Sequence, residues 1–137
     1  MATIKAYTTI EQSRKLAEIL PLESADMYYW LAWSGSVSEE KRNTPKVGTP
    51  NKDAIKTYWC PCWSLAALLG VLPFHLIVNN QRYAFSMHKG LNKDGETYML
   101  RYNVFYTDIC LYSTDYYNSP LDACVAMIEK LNELKML

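Results

Sequence analysis

Ser119-Pro120-Leu121-Asp122 opens the segment that most restricts how this chain can fold. Ser119 is suited to cap a helix, Pro120 to take its first position, and Asp122 to sit at the positive end of the helix dipole. Leu121, Cys124, Val125, Ile128, Leu131, Leu134 and Leu137 then recur at helical spacing. A helix with one continuous apolar stripe needs a second surface to cover it.

The residues before it offer such a surface. Phe74–Val78 reads as a strand, Asn79–Gln81 as a turn and Arg82–Met87 as the returning strand, with Tyr83, Phe85 and Met87 on one face. Gly90–Glu96 makes a second reversal, in which Asp94-Gly95 is the sharpest turn signal. Tyr98, Leu100, Tyr102 and Val104 alternate with Met99, Arg101, Asn103 and Phe105 as a third strand. A turn at Tyr106–Asp108 leads to a fourth, Ile109–Tyr112, so the spacing predicts an antiparallel meander.

Further upstream, Thr8 with Glu11 or Thr9 with Gln12 can form a capping box for an amphipathic helix carrying Ile10, Leu16, Ala17 and Leu20, which Pro21 closes. Met27–Trp33 is short and aromatic and reads as a strand. Ser34–Thr57 is polar and interrupted by Gly35, Pro45, Gly48 and Pro50, and is expected to be a long mobile loop. A second helix is expected from about Pro61 to Leu72, striped by Leu65, Leu68, Leu69 and Leu72 and stopped by Pro73. The expected fold is therefore α+β, an antiparallel sheet of about four to five strands packed with three helices, in a single domain over residues 1–137.

Fourteen basic and fourteen acidic residues cancel, so net charge gives no support to nucleic-acid binding, although a local basic patch is compatible with it. The amino terminus lacks the apolar run of a signal peptide, and no stretch approaches the roughly 18 apolar residues of a membrane helix. A cytoplasmic protein with reduced thiols is the expectation.

The chemistry centres on Tyr58-Trp59-Cys60-Pro61-Cys62-Trp63-Ser64-Leu65. With Pro61 in a first helical turn, the helix N-terminus would favour a thiolate on Cys62. A cysteine followed by tryptophan at a helix start resembles part of the nucleophile region of papain-like proteases, but no glycine precedes this thiol. A base is then required, either His75 or His88, with Asp94 or Asp108 to orient it, an order similar in outline to a transglutaminase-type core. The alternative is a packed structural thiol, as for Cys124 on its apolar stripe. Cys60, Cys62, His75 and His88 are all capable metal ligands, but their spacing does not match a zinc site, and neither a metal nor a cofactor is expected. Tyr83, Tyr98, Tyr102 and Tyr112 offer rings either to an open, base- or peptide-binding sheet face or to packing under a helix.

Two blocks, Pro61-x-Trp63-Ser64-Leu65 through Leu72-Pro73 and Asn118-Ser119-Pro120-x-Asp122-Ala123 through Leu131, resemble small uncharacterised proteins encoded by phages and mobile elements of gut bacteria. The resemblance implies an intracellular interaction protein with no activity to transfer. The leading expectation is a non-enzymatic binding or regulatory module whose partner is a second copy of itself or a host or phage protein. The other is a cysteine-dependent hydrolase or acyltransferase using Cys62 with His75 or His88.

Overall fold

Side-chain caps decide where the helices begin in the computed structural model, which describes residues 5–30, 44–48 and 59–137. Thr9 caps helix α1 (Ile10–Ala17): its Oγ1 accepts from the Gln12 amide at 3.1 Å, and Gln12 Oε1 accepts from the Thr9 amide at 3.0 Å. Of the two possible capping boxes it is Thr9 with Gln12 that forms, which leaves Thr8 to a buried role.

The described chain resolves into two compact units, Ala6–Val71 and Leu72–Leu137, the latter joined by Lys5. In the first unit, strand β1 (Met27–Trp30) lies between β2 (Lys46–Val47) and β3 (Trp59–Cys62), antiparallel to both. Of the expected Ser34–Thr57 loop, Lys46 and Val47 pair as a strand; most of that segment, and the expected continuation of β1 to Trp33, lie outside the described residues.

The second helix is corrected. Residues 59–62 are extended and pair with β1, Cys60 opposite Tyr29 and Cys62 opposite Met27, and helix α2 (Leu65–Val71) begins only after Ser64. Pro61 fits because β3 ends the strand order, and proline, lacking an N–H, is tolerated on a sheet edge. Ser64 Oγ accepts from the Ala67 amide at 3.1 Å, while both the N–H and the O–H of Ser64 donate to the Asp26 carboxylate.

The second unit is the expected meander. Strands β4 (His75–Val78), β5 (Gln81–Asn92), β6 (Gly95–Val104) and β7 (Cys110–Ser113) are hydrogen-bonded in sequence order, all antiparallel. Asn79 and Asn80 both have positive φ, 51° and 65°, as a two-residue hairpin turn of primed type requires. β5 runs through the expected reversal at Gly90 as far as Asn92, so the turn shrinks to Lys93-Asp94 with Gly95 at φ 122°. Helix α3 (Pro120–Glu133) starts on the Ser119 cap and packs on β6, burying Leu121, Cys124, Val125, Ile128 and Leu131. Its buried stripe ends at Leu131: Leu134, the C-cap, and Leu137 are exposed, and the chain leaves the helix through Lys135 at φ 57°.

The fold is thus α+β, with the strands divided between a three-stranded and a four-stranded antiparallel sheet. No helix among the described residues is long and apolar enough to cross a membrane.

Candidate functional site

Cys62 is fully buried on β3. The groups that reach its sulfur belong to Thr8, Ser13 and Tyr29. Thr8 Oγ1 donates to Sγ at 3.5 Å, and Sγ–H donates to the Thr8 carbonyl, also at 3.5 Å. The same carbonyl accepts from Tyr29 O–H at 2.6 Å. Thr8 Oγ1 pairs with Ser13 Oγ at 2.7 Å and accepts from the Trp63 amide at 3.2 Å, while the Thr8 amide donates to the Trp63 carbonyl at 3.0 Å.

With Ser13 as donor, Thr8 uses its amide, its carbonyl and every site of its hydroxyl. This is a closed network around a neutral thiol. A thiolate would lose its bond to the carbonyl and face that oxygen instead. Burial raises the Cys62 pKa, against the hydroxyl bonds from Thr8, Tyr29 and Ser13, which favour the anion.

Cys60 points to the same side of β3, since residues two apart on a strand share a face, and it belongs with Tyr29 and Cys62 to one buried cluster. The two thiols share a face because the tract is a strand and not the expected helix start. Burial pushes Cys60 up to about 11, and Cys124, behind Tyr102, up to about 12. Each is a group whose protonated form belongs to the folded state. The stability it contributes is complete below the unfolded thiol pKa of about 8.5 and is lost as the pH rises through the folded value. The unfolding free energy from urea titrations should therefore fall from pH 8.5 to 10.5, by at most about 1.4 kcal/mol per pH unit for each buried thiol. Cys124→Ala should make the fall shallower, and a flat profile would show the thiols to be unburied.

His75 and His88 lie on β4 and β5, in the other unit from Cys62. Both project to the face of the four-stranded sheet opposite α3, because Ala84, whose register partner is His75, and His88 alternate with the inward Tyr83, Phe85 and Met87. Tyr98 and Tyr102 are buried, so these rings are core and not an open platform. Tyr102 O–H donates to the Pro73 carbonyl at 2.7 Å, its ring meets Phe85 edge-on, and Tyr98 O–H donates to Glu96. Tyr83 shares their face and is half-buried.

The face opposite α3 has a different composition. Reading across the register, Ile77 stands by Arg82, His75 by Ala84 and Asn103, Ser86 by Arg101 and on to Ser113, His88 by Met99, and Gly90 by Thr97. Ser86 Oγ donates to Asn103 Oδ1 at 3.0 Å, and Asn103 Nδ2 donates to the Thr107 carbonyl. With its own proton given to Asn103, the Ser86 hydroxyl receives its 3.0 Å bond from His88 Nε2–H, and in the neutral ring Nδ1 is then an acceptor.

Residues missed in the sequence are Arg82 and Arg101. The signal was present: they occupy the strand parity opposite to the aromatic residues, where polar side chains share a face. Among the described residues no group of three or more His, Cys, Asp or Glu side chains is arranged to hold a metal ion. Comparison with protein-family models, curated proteins and solved structures finds no match.

Proposed function

We propose that the protein is a non-enzymatic binding or regulatory module, of phage or mobile-element origin, that works in the cytoplasm and engages its partner through the face of the β4–β7 sheet opposite α3. The observation that carries this reading is the division of the sheet. One face packs against α3 through Leu100, Tyr102 and Tyr98 of β6. The other carries exposed Arg82 and His75 and half-buried Arg101 and His88, beside exposed Ile77, Phe105 and Tyr116. Exposed apolar and cationic groups on one surface are what a partner site requires. The neutral, closed surroundings of Cys62 remove the reason to assign it a nucleophile's role.

Two measurements test this. Alkylation by iodoacetamide should modify exposed Cys110 first and reach Cys62 only at the rate at which the fold opens. A Cys62 that reacts faster than Cys110 in the folded protein would restore the enzyme hypothesis. Tagged protein should retain a partner from host lysate, and Arg82→Glu should release that partner without changing the thermal midpoint. Retention undiminished by that substitution would remove the face from the account.

A further inference from the structure

The face opposite α3 carries one arginine or histidine in each of four successive rows of the sheet. Arg82 comes first, then His75 in the row of Ala84, then Arg101 in the row of Ser86, then His88. Rows of like-facing residues are about 7 Å apart along a strand, and adjacent strands are about 4.8 Å apart, so the four groups form a track about 20 Å long that strays by no more than one strand to either side.

No strand position on this face is acidic. Glu96 lies on the opposite face with Tyr98 and Lys89. The carboxylates nearest in sequence, Asp94, Asp108 and Asp115, belong to turns or follow β7, and Asp108 gives Arg101 its backbone carbonyl at 3.3 Å. Two arginines and two histidines thus share this surface with no carboxylate among its described strand positions.

Aromatic rings stand at both ends of the track. Beyond Arg82, Phe105 and Tyr106 follow Val104, 65% and 93% exposed, with ring centroids 4.1 Å apart. Beyond His88, the ring of Tyr116 lies over Gly90: a Cβ there would meet its Cε1 at 3.3 Å, and Tyr116 remains 58% exposed. Glycine at position 90 lets this ring lie down on the sheet.

We propose that this face binds single-stranded nucleic acid. Arg82 and Arg101 pair with phosphates, Phe105 and Tyr116 stack on bases at the two ends, and His88 Nδ1 accepts from a base N–H or a ribose hydroxyl. The inference rests on the reading of this face as the binding surface. Spaced cations with planar rings at the margins match a flexible strand whose phosphates alternate with unstacked bases. An acidic peptide would satisfy the arginines and leave the rings unused. The track holds about four nucleotides, at the lower end of known single-strand sites.

The test is fluorescence anisotropy of the full chain with labelled oligo(U) and oligo(dT) 12-mers and an oligoglutamate 12-mer. At least one oligonucleotide should bind, with log Kd rising against log salt at a slope of about 1.4, the value for two phosphate contacts on a single strand. Phe105→Ala and Tyr116→Ala should each weaken binding about tenfold with little change in that slope. Arg82→Glu should weaken it about tenfold or more and flatten the slope; Arg82 is exposed, so this variant does not depend on the turn that Arg101 helps to hold.

Oligoglutamate binding that Arg82→Glu abolishes, with neither oligonucleotide bound, overturns the nucleic-acid inference and leaves the binding face standing. Oligonucleotide binding indifferent to all three substitutions also overturns it. If neither probe binds and the lysate partner is retained by Arg82→Glu, the inference and the binding face fall together.

Discussion

Trp63→Ala should cost about 3–5 kcal/mol, the range for deleting a buried tryptophan. Trp63 has no exposed surface. Its indole Nε1–H donates to Ser24 Oγ at 2.9 Å, which in turn donates to the Pro21 carbonyl, so the ring fastens the 3-10 turn Leu22–Ser24 that follows α1. Its backbone exchanges two bonds with Thr8, amide to hydroxyl and carbonyl to amide. Truncation would leave those backbone bonds in place and remove the packing around them. A loss of this size takes up a large part of the roughly 5–15 kcal/mol by which domains are stable. Chemical denaturation gives the magnitude, and hydrogen exchange should show the loss of protection in the Ala6–Val71 unit. Trp63→Phe, which keeps most of the apolar volume and loses the indole donor, should cost about 1–2 kcal/mol. A Trp63→Ala penalty under about 1.5 kcal/mol would mean that the ring is not the packing centre of this unit.

The elements legible in the sequence are those whose determinants are local. Ser119, Pro120 and Asp122 mark a helix start without reference to the rest of the chain, and Asn79-Asn80 and Asp94-Gly95 do the same for turns. The tract at Cys60 was not legible, because Pro61 suits two environments equally: the first turn of a helix and an edge strand. Pairing with Met27–Trp30, more than thirty residues earlier, decides between them, and no local signal carries that information. The same non-local step reversed the chemistry. A helix N-terminus would have lowered the Cys62 pKa, whereas burial on β3 raises it. The tyrosines were half legible. Their alternation identifies two faces, but only α3, packed against Tyr98, Leu100 and Tyr102, determines that the aromatic parity is core and the Arg82, His88 and Arg101 parity faces away from the helix.

Thr8→Val tests the closed network directly, because valine matches threonine in shape and removes only the hydroxyl. Three groups lose their partner at once: the Trp63 amide, the Ser13 hydroxyl and the Cys62 sulfur. The amide is the costly one, since a buried donor left unpaired costs about 1–3 kcal/mol, and the Ser13 hydroxyl adds to it. The expected total is about 3 kcal/mol. Thr8→Ser keeps the hydroxyl and gives up one methyl, which should cost about 1 kcal/mol. The Cys62 carbonyl bond survives in both variants, because it is made to the Thr8 backbone. If Cys62 is reached only through opening of the fold, its alkylation should accelerate about 100-fold in Thr8→Val, each 1.4 kcal/mol being a factor of ten. Adding Ser13→Ala to Thr8→Val should cost less than the sum of the single changes, since the serine has already lost its partner. Equal stabilities for Thr8→Val and Thr8→Ser, or an unchanged alkylation rate, would show that the hydroxyl does not hold this part of the core together.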